Sequence, residues 1–179
     1  MTTPPSKPQF VVGLDPSLTS FAGIRLRVGA SDDIKELTIK TKPAQYPGRL
    51  SRIRAITAEV GAFCMGAALV AIEGYAFGAR NGREAAGELG GAVRLALHAA
   101  GIPMIEVPPS TLKKYVTGKG VADKNIMLRE VFRRWAYEAK NDDLADAYSL
   151  ARFAAHHTVD EQQKTKAWQA LAAKVVLLA

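Results

Sequence analysis

Cysteine is nearly absent from this chain of 179 residues: Cys64 stands alone, which excludes an internal disulfide and any zinc site built from cysteines. It falls in the apolar phase of a helical stretch, so it reads as a buried packing residue of a reducing compartment. The three histidines offer little to a metal. His98 sits within a helix, and His156-His157 closes another, where a cation is favoured without any ligand role. No apolar run is long enough to span a membrane, and the opening MTTPPSKPQF lacks the apolar core of a signal peptide. A soluble, cytoplasmic protein with no membrane partner is therefore expected. Internal repeats, low-complexity tracts and a Walker-type glycine loop are also missing.

Hydrophobic residues at 48% and charged residues at 23% are ordinary globular usage, and the length suits one domain. The formal charge of +7 suits a polyanionic partner, because cations that neutralise phosphates release counterions. Lysine used for solubility explains the same charge.

Along the chain, FVVGLD reads as a buried strand and FAGIRLRV as its partner, with a turn over Pro16 to Ser20 between them. Ile34 to Thr41 alternates as a third strand. From Gly48 to Met65 the apolar period changes to that of a helix. ALVAIE, a helix from Arg83 to Ala100 and PMIEV then form a strand–helix–strand crossover. After Pro108-Pro109 come a short helix, a Gly-Lys-Gly loop, a helix over Asp123 to Ala139 and another over Asp142 to His156. The order predicts an α/β fold with a mixed sheet, three antiparallel strands followed by parallel ones, flanked by helices. Residues 1–8 are expected to be a flexible segment and 9–157 the domain. Residues 158–179 are expected to form an amphipathic helix packed on that domain.

Two apolar strands end in an acid: Asp15 closes FVVGLD and Glu73 closes ALVAIE. An ionised carboxylate is costly to desolvate without a cation or donors. One such acid serves readily as a turn former; two on one sheet suggest a site. In NDDLADA, Asp143 and Asp146 share a helix face at i, i+3 and repel unless a cation lies between them. Asn141 and Asp142 can cap the same helix. Four carboxylates on three elements are hard oxygen donors that suit Mg²⁺ or Mn²⁺, two ions at once included.

GLDPS, AIEGYAFG, PPSTLKKYVTGKGVADK and NDDLADA follow in the order, and at about the spacing, of the motif blocks of RuvC-type Holliday junction resolvases. From Val11 to His157 the chain resembles that family, within the RNase H-like superfamily. The resemblance implies metal binding by Asp15, Glu73, Asp143 and Asp146, and a basic role for Lys113 and for Lys124 as a catalytic lysine. It also implies a homodimer that cuts four-way junctions symmetrically with Mg²⁺ or Mn²⁺. Ser17 stands where the family usually has glycine, and the loop GYAFGARNGRE is about two residues longer than usual. The family's aromatic wedge falls to Tyr75 or Phe77. A compact member of this kind fits a phage genome as well as a bacterial one, in which case the host cytoplasm is its location.

Read from its residues, that loop joins Tyr75 and Phe77 to Arg80 and Arg83 on a glycine-rich tether, which suits stacking on unpaired bases while guanidiniums meet phosphates. Rings tucked on the core are the alternative. Lys113, Lys114, Lys119 and Lys124 place charge where a scissile phosphate needs it, or form a solvated run. Arg129, Arg133, Arg134 and Lys140 extend the basic face or simply face solvent. On the helix from Arg83, a stripe of Ala85, Ala86, Leu89, Val93 and Leu97 fits either a dimer interface or its own sheet. The other functions in view are a related nuclease for flaps, forks or RNA–DNA hybrids and a non-catalytic DNA-binding module. An actin-like ATPase, whose first strand turns similarly, needs a second domain and phosphate loop that this chain lacks.

Overall fold

The computed structural model describes residues 9–29, 33–42, 44–75, 83–158 and 166–178. The segment 1–8, expected to be flexible, lies outside them. The chain order is β1 (Phe10–Asp15), β2 (Phe21–Arg27), β3 (Ile34–Ile39), α1 (Arg49–Cys64), β4 (Leu69–Glu73), α2 (Arg83–Ala99), β5 (Met104–Val107), α3 (Pro109–Thr117), α4 (Lys124–Trp135), α5 (Asp142–His157), α6 (Lys166–Ala172) and β6 (Val176–Leu178). The strands form one sheet in the order β3-β2-β1-β4-β5-β6. β1, β2 and β3 pair antiparallel, and β1, β4 and β5 pair parallel. This is the mixed sheet that the sequence predicts.

Strand alternation divides the core. On one face Val11, Ile24, Leu69, Ala71 and Ile105 pack under α3, α4, α5 and α6. On the other, Val12, Leu14, Phe21, Val70 and Ile72 pack under α1 and α2. Leu89, Val93 and Leu97 are fully buried in that second layer, so these three residues of the α2 stripe pack on the chain's own sheet, whereas Ala85 is half-buried and Ala86 exposed. Cys64 is buried in the same layer, and burial pushes its thiol up to about 12, as a packing residue requires.

Two helices differ from the sequence reading. α4 stops at Trp135 because Ala136 turns left-handed at φ 53°. The chain leaves the helix there to stack Tyr137 on Tyr148, ring centroids 4.1 Å apart, and Tyr137 donates to Glu36 at 2.9 Å. The terminal amphipathic helix is replaced by the short α6 and by β6, which pairs antiparallel with β5. The β-branched and apolar run VVLL satisfies the backbone groups that β5 would otherwise leave open at the sheet edge. Trp168 keeps the role that the periodicity gives it, buried on the domain's own core.

α5 lies directly on β1, and Gly13 is the point of closest approach. A Cβ at Gly13 would stand 2.1 Å from the Ala147 carbonyl oxygen and 2.3 Å from the Ala151 nitrogen. Both are backbone atoms that cannot turn aside. Gly13→Ala should therefore cost about 2–3 kcal/mol by forcing the helix from the strand. Gly61→Ala, inside α1 with open space around it, should gain about 0.5–1 kcal/mol from helix propensity. Urea denaturation of the two variants separates these signs; equal effects would refute the close approach.

Candidate active site

β1 and β4 run side by side, with Leu14 opposite Ile72, so Asp15 and Glu73 emerge one residue further on at the same end of the sheet. Alternation places both on the α5 face, since Val11, Leu69 and Ala71 belong to that layer and Gly13 touches α5. α5 begins at this end. Its N-cap is Asn141, whose Oδ1 accepts from the Leu144 nitrogen at 2.9 Å, and its first turns carry Asp143 and Asp146. The structure thus brings together all four acids singled out in the sequence.

Their electrostatics reflect the proximity. Asp15 is held well above the ordinary carboxylate range, first by burial and then by the charges of Glu73, Asp146 and Asp143. Burial, followed by the Asp146 charge, pushes Glu73 up to about 7. Burial likewise pushes Asp146 up to about 6, against the pull of Lys113 and with Asp142 and Asp143 adding to the rise. The Asp15 and Glu73 carboxyl groups are close enough for their titrations to be linked. Lys113, half-buried on α3, is the cation whose field reaches both Glu73 and Asp146.

Asp142 and Asp143, adjacent in sequence, have different partners. Asp142 forms an ion pair with Lys124 at the start of α4, whereas Asp143 Oδ2 accepts from Ser20 Oγ at 2.7 Å. The Lys124 field is felt by Asp143 and Asp146, so Lys124 stands at the rim of the acids, 79% exposed. Ser20 is a contact that sequence reasoning missed. Ser17, the departure from glycine, organises the turn that delivers it, with Oγ accepting from the Ser20 nitrogen at 3.3 Å. Arg52 and Thr41 brace the same turn by donating to the Leu18 carbonyl at 2.9 Å and 2.5 Å.

Other sequence candidates lie elsewhere. Lys114 lines a groove with Arg133, Arg134 and Trp168, and Lys119 is exposed in the turn after α3. Phe77 and Arg80 lie outside the described residues, and Arg83 opens α2. Tyr75 is 37% exposed. Arg129 and Arg133 pair with Glu130, and Lys140 with Glu36. Arg134 donates to the Tyr115 and Val116 carbonyls at the end of α3. These four cations are largely engaged within the domain, whatever their exposure.

A model of the crossover junction endodeoxyribonuclease RuvC family matches residues 11–154. The chain belongs to that family. RuvC of Synechococcus sp. (strain WH7803) is 35% identical over 85 residues, 46% of this chain and 55% of the relative. The chain therefore spans about half the length of that relative. RuvC of a Prochlorococcus marinus strain is 28% identical over 146 residues, 79% of this chain and 94% of the relative. Among solved structures, Thermus thermophilus RuvC superposes at a TM-score of 0.69 with 24% identity, covering 95% of this chain and 100% of that one. The same protein in complex with a Holliday junction substrate gives 0.70 and 24%, covering 95% and 99%. The fold is the RNase H-like fold that the motif order implies.

The donor set fits a hard divalent cation in its chemistry: every donor is a carboxylate oxygen, and burial followed by mutual repulsion raises Asp15, Glu73 and Asp146. Among the described residues, no three His, Cys, Asp or Glu side chains are arranged closely enough to hold a metal ion as they stand. The pH dependence follows. Unfolded carboxylates titrate near 3.8 for Asp and 4.5 for Glu. Folded values above these give stability that is full below the unfolded pKa and lost as pH rises through about 6 for Asp146 and about 7 for Glu73. In EDTA the melting temperature should fall between roughly pH 4 and 7. Millimolar Mg²⁺ should restore it at pH 8 and do little at pH 5, where protons hold the site. Melts unaffected by Mg²⁺ at both pH values would count against an ion at these acids.

Proposed function

We propose that this chain is a structure-selective DNA endonuclease that resolves four-way junctions by metal-dependent phosphodiester hydrolysis. The observation that carries this reading is the meeting of Asp15, Glu73, Asp143 and Asp146 from β1, β4 and α5 beside Lys113. Mg²⁺ or Mn²⁺, two ions per site when bound to these carboxylates, would supply the Lewis-acid charge for hydrolysis of the phosphodiester. The four carboxylates hold that charge, and Ser20 fixes the Asp143 oxygen by donating to it. Lys113 and Lys124 face the incoming phosphate, where positive charge lowers the energy of the crowded transition state. Tyr75, Phe77, Arg80, Arg83, Lys114 and Lys119 are the proposed DNA contacts around this centre.

The named relatives are crossover junction endodeoxyribonucleases, and a structural neighbour was solved with a Holliday junction substrate. Both support junctions over flaps, forks or hybrids. Symmetric incision requires two sites related by a two-fold axis, so the working form is a homodimer. Among the described residues, no helix is long and apolar enough to cross a membrane, consistent with action on DNA in the cytoplasm.

Incubation with a mobile four-way junction, a fork, a flap, an RNA–DNA hybrid and linear duplex tests the substrate. Paired symmetric nicks in the junction, dependent on Mg²⁺ or Mn²⁺, are expected; preferential cutting of another substrate would overturn the assignment. Sedimentation should find a dimer, free or on the junction, and a monomer in both states would exclude symmetric cutting by one assembly.

The two neighbouring aspartates provide the sharper test of the site. Asp143→Asn should reduce cleavage at saturating DNA by roughly a thousandfold or more, about 4 kcal/mol in activation free energy. Asp142→Asn loses the Lys124 pair yet should stay within about threefold, ~0.7 kcal/mol. The reverse pattern would transfer the metal role to Asp142.

A further inference from the structure

On the face of the sheet opposite the four acids, Arg94 of α2 gathers a set of contacts that metal chemistry does not explain. Its Nε donates to Glu106 Oε2 at 3.0 Å, and its Nη2 lies 2.7 Å from that same oxygen. Nη2 also donates to the main-chain carbonyl of Glu73 at 3.0 Å. The guanidinium carbon lies 4.5 Å from the centre of the Tyr75 ring. The pair is well covered, its side chains 13% and 22% exposed.

Two glycines leave the space this requires. A Cβ at Gly90 would stand 2.6 Å from Arg94 Nη1 and 2.9 Å from Tyr75 Oη, and one at Gly74 would stand 3.1 Å from Glu106 Oε1. Burying an ion pair needs tight geometry to offset desolvation, and apolar residues of similar volume often do as well for stability. Nη1 is buried without a hydrogen-bond partner, so stability alone is a poor account of Arg94. A planar fork, by contrast, can hold a carboxylate, a carbonyl and a ring in fixed relation.

We propose that Arg94 is a positioning residue that couples the metal site to DNA reading. One guanidinium fixes the end of β4 that presents Glu73 and holds the Tyr75 ring ready to stack against an unpaired base. The ring then meets DNA with its orientation already set, so little ordering remains to be done on binding. Glu106 is the counter-charge that keeps the fork in place. This inference rests on the proposed junction-cutting function.

The test replaces the pair by apolar residues of similar volume. Arg94→Met with Glu106→Met should fold, with a melting temperature in EDTA close to that of the unaltered protein. In an Asp15→Asn background, expected to bind without cutting because it removes one of the proposed metal carboxylates, fluorescence anisotropy should show its preference for a four-way junction over linear duplex reduced at least tenfold. The Mg²⁺ concentration for half-maximal thermal stabilisation, measured with Asp15 intact, should rise severalfold. Tyr75→Phe, which keeps the ring on the guanidinium, should retain the preference, whereas Tyr75→Leu should lose it. Should the double variant not fold, Arg94→Lys carries the same expectation, because an ammonium cannot serve carboxylate, carbonyl and ring together. An unchanged junction preference and Mg²⁺ response in a folded variant would overturn the proposal. If the Asp15→Asn protein itself shows no junction preference, it is the underlying function that fails.

Discussion

Everything at the carboxylate centre depends on how closely α5 can approach β1. The absence of a side chain at Gly13 lets the backbone at Ala147 and Ala151 settle on the strand, and that contact sets the height of the helix above the sheet. Two residues further along β1 stands Asp15, and in α5 Asp146 directly precedes Ala147. A methyl group at Gly13 would separate them by raising the whole helix. Packing thus comes before chemistry: the acids meet because apolar and glycine positions below them fix the two backbones.

The cost of that meeting is electrostatic. Burial and mutual repulsion raise Asp15, Glu73 and Asp146 together, so each of them holds its proton to a higher pH than an ordinary carboxyl group. The surrounding residues relieve only part of this. Lys113 lowers Glu73 and Asp146, and Asp142 is withdrawn by Lys124. A site left short of positive charge in this way is poised for a ligand that brings it. The location of Asp143 and Asp146 in the first turns of α5 offsets some repulsion through the positive end of the helix.

The acids and their elements were legible in the sequence because strand ends and i, i+3 spacing are local signals. Asp15 and Glu73 fall on one face because their strands are neighbours, a pairing that the structure supplies and that the crossover between β4 and β5 does not imply. Ser20 was not legible, since its partner Asp143 is distant in sequence and nothing in LTSF announces the contact. Arg94 was hidden similarly: within a helix of alanines, glycines and leucines it resembles an ordinary exposed cation, and Glu106 an ordinary strand residue. The end of α4 was misread because Ala136 is a good helix former; the pull comes from Tyr137 finding Tyr148 and Glu36. β6 escaped for a related reason, as a strand at a sheet edge is chosen by the open neighbour and not by its own period.

The short segment Glu73-Gly74-Tyr75 is where the two faces of the sheet are joined. Glu73 sends its carboxylate to the α5 side, while its carbonyl is held from the α2 side by Arg94. Gly74 follows, with its nitrogen donating to the Val107 carbonyl at 2.9 Å, which continues the β4–β5 pairing one residue beyond the acid. Gly74 also leaves room for Glu106 beneath the chain. The backbone is therefore fixed on both sides of Glu73 before the loop begins. A carboxylate at the last residue of a strand is held only as firmly as the backbone bonds beyond it. Here the Val107 and Arg94 bonds continue the sheet's hydrogen bonding past Glu73, so the position of its carboxylate is set within the sheet.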